Sequence, residues 1–180
     1  PSQRPYTISR TKCWTATELA VALASHWKTG VRDIGRGLIV PWLRDELRDQ
    51  EACRILMDLM EDRKLTHDER LLRFIAHIGR GLPANWKGLS LDLSSIISLC
   101  RDNLNESPSH AGMIEELYEK EVFDVWGKAG NEEAGSIGEQ WRAAVQEFDS
   151  EWNRLVAAQE IAQHSPSKKL LLPTLLLAIV

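Results

Sequence analysis

Five histidines, three cysteines and one dense acidic run are the residues of this chain that could do chemistry. The stretch "HDER" opens at His67, and a second His four residues on would complete a two-imidazole zinc face, but position 71 is Leu. His26, His77, His110 and His164 have no Cys or His at metal-binding spacing. Cys13, Cys53 and Cys100 lie about forty residues apart. Such a scattered, odd set reads as reduced thiols of an intracellular protein, two or three of them buried as small hydrophobes. The run Glu115, Glu116, Glu119, Glu121 and Asp124 would suit an acid/base pair or a metal only if its carboxylates faced inward beside a Glu-x-x-His, and no Glu-x-x-His occurs. A solvated helix face accounts for it better. Phosphate-loop, nucleophile-elbow and calcium-loop patterns are also missing from the sequence. The expectation is a protein that is not an enzyme, with no catalytic residue, no cofactor and no metal.

One motif repeats. "IGRGLIVPW" (Ile34–Trp42) returns forty-four positions later as "IGRGLPANW" (Ile78–Trp86). Gly-Arg-Gly offers backbone amides and a guanidinium together, a chemistry suited to phosphate. The second copy even fits G-x-G-x-x-A from Gly79 to Ala84. That pattern means dinucleotide binding only where a strand leads in and a helix opens on it. Here a helix leads in and Pro83 interrupts, so the nucleotide reading is rejected. A period of 44 also suits helical-pair repeats, yet no third copy follows near Val122 and the flanks diverge. The better reading makes each copy a helix–helix corner: an Ile ends an apolar stripe, the glycines reverse the chain, and Leu and Trp pack back on the core.

The acidic pI of 5.8 and net charge of −4 argue against a nucleic-acid surface. Within that balance, residues 1–90 carry 15 Lys/Arg against 11 Asp/Glu, and residues 91–180 carry 7 against 15. The asymmetry reads as two half-domains that attract each other. Arginines cluster in the first half, including Arg36, Arg44, Arg48, Arg54, Arg70, Arg73 and Arg80, diluted by interleaved carboxylates. Arg36, Arg44, Arg48 and Arg80, with Trp42 and Trp86, are the candidate partner-binding residues, suited to an acidic helix or peptide.

Nearly every segment that must position these residues has helical spacing, and hardly any alternates as a half-buried strand does. Thr15 and Glu18 form a capping box, with Trp14 placed to staple onto Leu19, and the helix they start is expected to stop at Gly30. A second helix covers Leu38 to about Arg48, with Pro41 in its first turn. A third runs from about Gln50 to Glu61, and a fourth starts at the Thr66/Glu69 box. Leu93 to Leu104 mark a fifth. Ser107 before Pro108 caps a sixth, carrying Ile114, Leu117, Val122 and Val125. Ser136 and Glu139 open the longest helix, with Ile137, Trp141, Val145, Phe148, Trp152 and Leu155 in one stripe to about Gln163. Leu170–Val180 is eleven residues, too short to span a bilayer of about 30 Å, and reads as a core helix starting near Pro173. The fold expected is all-α, an irregular helical bundle or short helical-repeat solenoid (HEAT/TPR-like) of seven or eight helices. It forms one domain over 1–180, with possible sub-units 14–104 and 107–180.

The run Trp14–Leu19, then Trp27, Arg36-Gly37, Trp42-Leu43, Leu47 and Ala52, continued by "LPANWKGLSL", resembles helical regions appended to a protein-kinase-like or Hsp70-like head in bacterial multidomain proteins. The resemblance covers Trp14–Leu104, carries no catalytic signature, and implies a non-catalytic accessory module. Beginning at "PSQRPY" without Met and ending in an apolar run, the chain reads as part of a longer polypeptide. The expected function is protein–protein interaction or scaffolding, cytoplasmic, with another protein or another domain of the same chain as partner. The alternatives are an enzyme whose dispersed site leaves no local signature, and a membrane-proximal domain preceding a transmembrane helix beyond Val180.

Overall fold

The computed structural model describes residues 4–105, 110, 112–158 and 165–180. The chain is mostly α-helical, with two small two-stranded hairpins, and its contacts divide into two units. The first comprises Pro1–Ser90 with Ala129–Asn131, and the second comprises Leu91–Lys128 with Glu132–Val180.

In the first unit, β1 (Tyr6–Ile8) pairs antiparallel with β2 (Thr11–Cys13). α1 (Ala16–Ser25) starts from the expected capping box, in which Thr15 Oγ1 accepts from Glu18 N and Glu18 Oε2 accepts from Thr15 N. Trp14, expected to staple onto Leu19, stays 46% exposed. The first helix does not stop at Gly30. It breaks earlier, at His26 (φ −116°, ψ 51°), and α2 (Trp27–Gly35) carries Gly30 in its interior. A Cβ at Gly30 would sit 2.9 Å from Leu23 Cδ2 and 3.2 Å from Leu71 Cδ2. This glycine therefore serves close packing and not a left-handed stop.

The chain then forms a short turn, α3 (Ile39–Pro41), which widens into a π-helical stretch over Trp42–Leu47. That stretch ends at Arg48, left-handed at φ 57°, with Asp49 N donating to Leu43 O at 3.0 Å. α4 (Gln50–Glu61) and α5 (His67–Ile78) match the expected third and fourth helices. Asp49 caps the former through Ala52 N, and Thr66 with Glu69 caps the latter.

Hairpin β3 (Asn85–Trp86) and β4 (Leu89–Ser90) follows α5. Its two-residue turn, Lys87-Gly88, has positive φ at both positions, the geometry that matches strand twist. The second Gly-Arg-Gly site therefore leads into a hairpin, and the expected helix–helix corner is corrected there.

The second unit holds α6 (Leu93–Leu104, capped by Asp92), α7 (Met113–Glu119), α8 (Val122–Lys128), α9 (Glu132–Ala157) and α10 (Lys168–Ile179). The expected Ser107-Pro108 start and the reach of the long helix to Gln163 lie outside the described residues. The expected sixth helix is two, parted where Glu121 turns left-handed at φ 52°. This break and the one at His26 raise the count from the expected seven or eight to ten helices among the described residues. α6, assigned by sequence to the earlier of two possible sub-units, groups with the later helices.

Ser136 is no cap. α9 already starts at Glu132, and the Ser136 hydroxyl accepts from Gln140 Nε2 inside the helix. α8 and α9 approach so closely that a Cβ at Gly127 would lie 2.5 Å from Gly135 Cα. Only hydrogen side chains allow that contact. Arg142 pairs with Asp124 across the same helices, which raises the guanidinium pKa. In α10, Pro173 lies past the first turn, buried with Leu172 and Leu176. Buried Trp141 donates to Leu172 O at 3.1 Å, and Thr174 Oγ1 donates to Leu170 O one turn back.

Candidate functional site: a groove along α1

Two contacts order the first unit. Trp27 Nε1 donates to Asp68 Oδ1 at 2.7 Å, and one turn later Gly30 packs under Leu71. Both join residues 41 apart, as in helices running side by side in one direction. α2 and α5 are thus parallel, and both Gly-Arg-Gly corners close at the same end of the pair. At the opposite end, Trp86 meets Trp27 edge-on at 5.6 Å. Lys87 Nζ lies 3.7 Å from Asp68 Oδ2 and 5.4 Å from the Trp86 ring centre. This clamp seats hairpin β3–β4 in the unit.

Hairpin and helix then leave a groove. One cavity of about 230 Å³ is lined by Val21, Ala24, Ser25, the Leu82–Asn85 turn, Gly88 and Ser90. A second, about 330 Å³, is lined on the β2 side by Thr11 and Lys12 and along α1 from Thr17 to His26. They share Val21 and Ser25, one turn apart on α1, and so adjoin along that pair. The size suits a small ligand or a few side chains of a peptide. Val21 is 49% exposed, although it is apolar and sits mid-helix. Among the lining residues the Lys, Arg, Asp and Glu side chains are Lys12 and Glu18, and Glu18 Oε2 accepts from the Trp14 and Thr15 amides. Burial, followed by the field of Glu18, pushes up the pKa of the Cys13 thiol.

Ser25, His26 and Glu18 share the second cavity and have the composition of a nucleophile–base–carboxylate set. Their hydrogen bonds are spent elsewhere. Ser25 Oγ donates to Val21 O at 3.0 Å, and the Glu18 carboxylate serves the helix cap. Among the described residues no hydrogen bond links the three. Nor does any group of three or more His, Cys, Asp or Glu there have the arrangement to hold a metal ion. His77 stands alone beside exposed Glu51, at 4.0 Å. In the acidic run, Asp124 pairs with Arg142, and Glu119 and Glu121 are exposed. His164 lies outside the described residues.

The six candidate partner-binding residues separate by burial. Trp42 (6% exposed) donates from Nε1 to Arg4 O at 2.8 Å, and Trp86 (1%) belongs to the clamp, so both indoles serve the core. Arg44 is exposed and bound to Asp45 at 2.7 Å, a pairing that raises the arginine and lowers the aspartate pKa. Arg36, Arg48 and Arg80 are exposed and form no ion pair among the described residues. None of the six lines the groove.

Sequence reasoning missed the groove residues because the groove joins α1 to a turn some sixty positions away. One signal was legible: Val21 falls off the Leu19/Leu23 stripe. Also missed was Asp33, buried at 4% exposure, bound by Arg32 and by the Tyr6 hydroxyl at 3.0 Å. All three cysteines are buried and free, as their spacing suggested. No helix among the described residues is long and apolar enough to cross a membrane. In comparisons with known proteins the chain matches no family, no curated protein and no solved structure.

Proposed function

We propose that the chain is a non-catalytic protein-interaction module whose site is the α1 groove, working within a larger bacterial multidomain protein as the helical-region resemblance implies. The partner is another protein, or another domain of the same chain, offering an acidic segment with apolar anchors. One observation carries the reading: an open groove along α1 presents Ala22, Ala24 and the half-exposed Val21, in the half of the chain with an excess of Lys/Arg. Apolar contact would supply affinity, and the positive balance of residues 1–90 would supply rate of encounter. The arrangement is read as an irregular bundle, and the unequal exits of the two Gly-Arg-Gly copies favour that over a regular solenoid.

The test is an amide NMR titration with helical peptides that share apolar anchors and differ in flanking charge. Acid-flanked peptides are expected to shift Val21, Ala24, Ser25 and Ala84, and Val21→Glu to abolish the shifts. Equal response to base-flanked peptides, or no response at those amides, would refute the assignment.

A further inference from the structure

Both hairpins of the first unit wall the groove, and each is tied down from outside it. Thr11 and Lys12 belong to the β1–β2 hairpin, and Asn85, Gly88 and Ser90 to β3–β4. The strands are three and two residues long, and both turns, Ser9-Arg10 and Lys87-Gly88, have positive φ throughout. A two-stranded hairpin of that size has little stability of its own. Ile8, Cys13 and Trp86 root the pair in the core. Each hairpin then reaches one aspartate on a helix behind the groove. The Tyr6 hydroxyl donates to Asp33 Oδ2 at 3.0 Å, and Asp33 is on α2. Lys87 Nζ stands 3.7 Å from Asp68 Oδ2, and Asp68 is on α5. The other oxygen of each carboxylate is held among the helices. Arg32 donates to Asp33 Oδ1 at 3.0 Å, and Trp27 Nε1 donates to Asp68 Oδ1 at 2.7 Å. Each aspartate is therefore a fixed post.

We infer that Asp33 and Asp68 are positioning residues that set the two walls of the α1 groove, acting through Tyr6 and Lys87. The consequence for binding rests on the groove reading above. The two tethers differ in kind. Tyr6–Asp33 joins a neutral donor to a carboxylate that is 4% exposed, out of reach of screening ions. Lys87–Asp68 joins two charges whose side chains are 32% and 35% exposed, so salt weakens it. Ionic strength thus acts on the β3–β4 wall and its cavity, and spares the β2 wall.

Amide NMR of the full chain tests this at residues remote in sequence from the changes. Lys87→Met is expected to shift Ala24 and Ala84, which line one cavity, and Tyr6→Phe to shift Thr17 and Ala22, which line the other. Lys87→Arg keeps the charge and should leave Ala24 and Ala84 in place. Added salt should move those two in the wild type and move them no further in Lys87→Met. Lys87→Met and Tyr6→Phe should each weaken acid-flanked peptides about three- to tenfold, the equivalent of one net hydrogen bond. Gly37→Ala, whose strain lies away from both hairpins, should leave peptide affinity unchanged. Shifts spread alike over both cavities by either variant, or affinity lost equally in Gly37→Ala, would overturn the inference. Peptides that bind wild type and both variants alike also sink it, and leave the groove reading standing. Shifts as expected with no peptide bound by the wild type uphold the tethers and sink the groove reading instead.

Discussion

Ile34–Gly-Arg-Gly-Leu and Ile78–Gly-Arg-Gly-Leu begin alike and end differently. In both, the second glycine is left-handed, φ 68° at Gly37 and 83° at Gly81. The first glycines differ. Gly35 is helical with nothing near its absent side chain. Gly79 is walled in: a Cβ there would stand 2.5 Å from Leu82 Cδ1, 2.8 Å from Ala20 Cβ and 2.9 Å from Ile75 O. The sixth residue, Ile or Pro, then directs the chain into a helical turn or toward a hairpin. Identical letters thus share a backbone requirement but not a packing requirement, since the neighbours are set by other parts of the chain.

The contrast can be broken most forcefully at Gly79. Gly79→Ala should cost about 3 kcal/mol in urea unfolding, because backbone at 2.9 Å cannot yield as a side chain can. A loss under 1 kcal/mol would show the wall to be soft. Next comes the residue pair beside the first copy. Tyr6→Phe removes a hydrogen bond to buried Asp33 and should cost about 1–2 kcal/mol at neutral pH. Burial, and then Asp33, raises the phenol pKa above its ordinary 10.0. Its contribution is therefore complete below pH 10 and disappears as pH rises beyond it, when the unfolded chain ionises first. The wild-type melting temperature should fall on that alkaline limb, and Tyr6→Phe should flatten the fall.

Smaller effects are expected at the shared left-handed positions. Gly37→Ala and Gly81→Ala should each cost about 1 kcal/mol, equally, because both meet backbone strain and no clash. Unequal costs would mean that the copies differ there too. The smallest effect has the opposite sign. Gly35→Ala places a methyl in open space on a helix and should stabilise by about 0.5 kcal/mol.

Helices with strong local signals were legible at residue level. Gln50–Glu61 and the Thr66/Glu69 start follow from apolar spacing and from caps that bond within one turn. The breaks at His26 and Glu121 were not, because neither residue has the intrinsic freedom of glycine that marks a chain reversal in a sequence. The hairpins were too short for alternation to register, although Lys87-Gly88 marked one turn. As for the groove, Val21 was visible as a misfit, but its opposite wall at Leu82–Ala84 depends on the clamp formed by Trp27, Asp68 and Lys87.

From its letters alone the chain committed to being helical, to the capped starts at Thr15 and Thr66, to left-handed glycines at both corners and to a basic first half. All of these arise within a turn or two of backbone or from composition, where local hydrogen bonds and sterics decide. Tertiary packing decided which glycines are indispensable, which tryptophans are core, and that one face of α1 stays open beside a hairpin. Those outcomes depend on contacts between residues forty to sixty positions apart, and no local preference reaches that far.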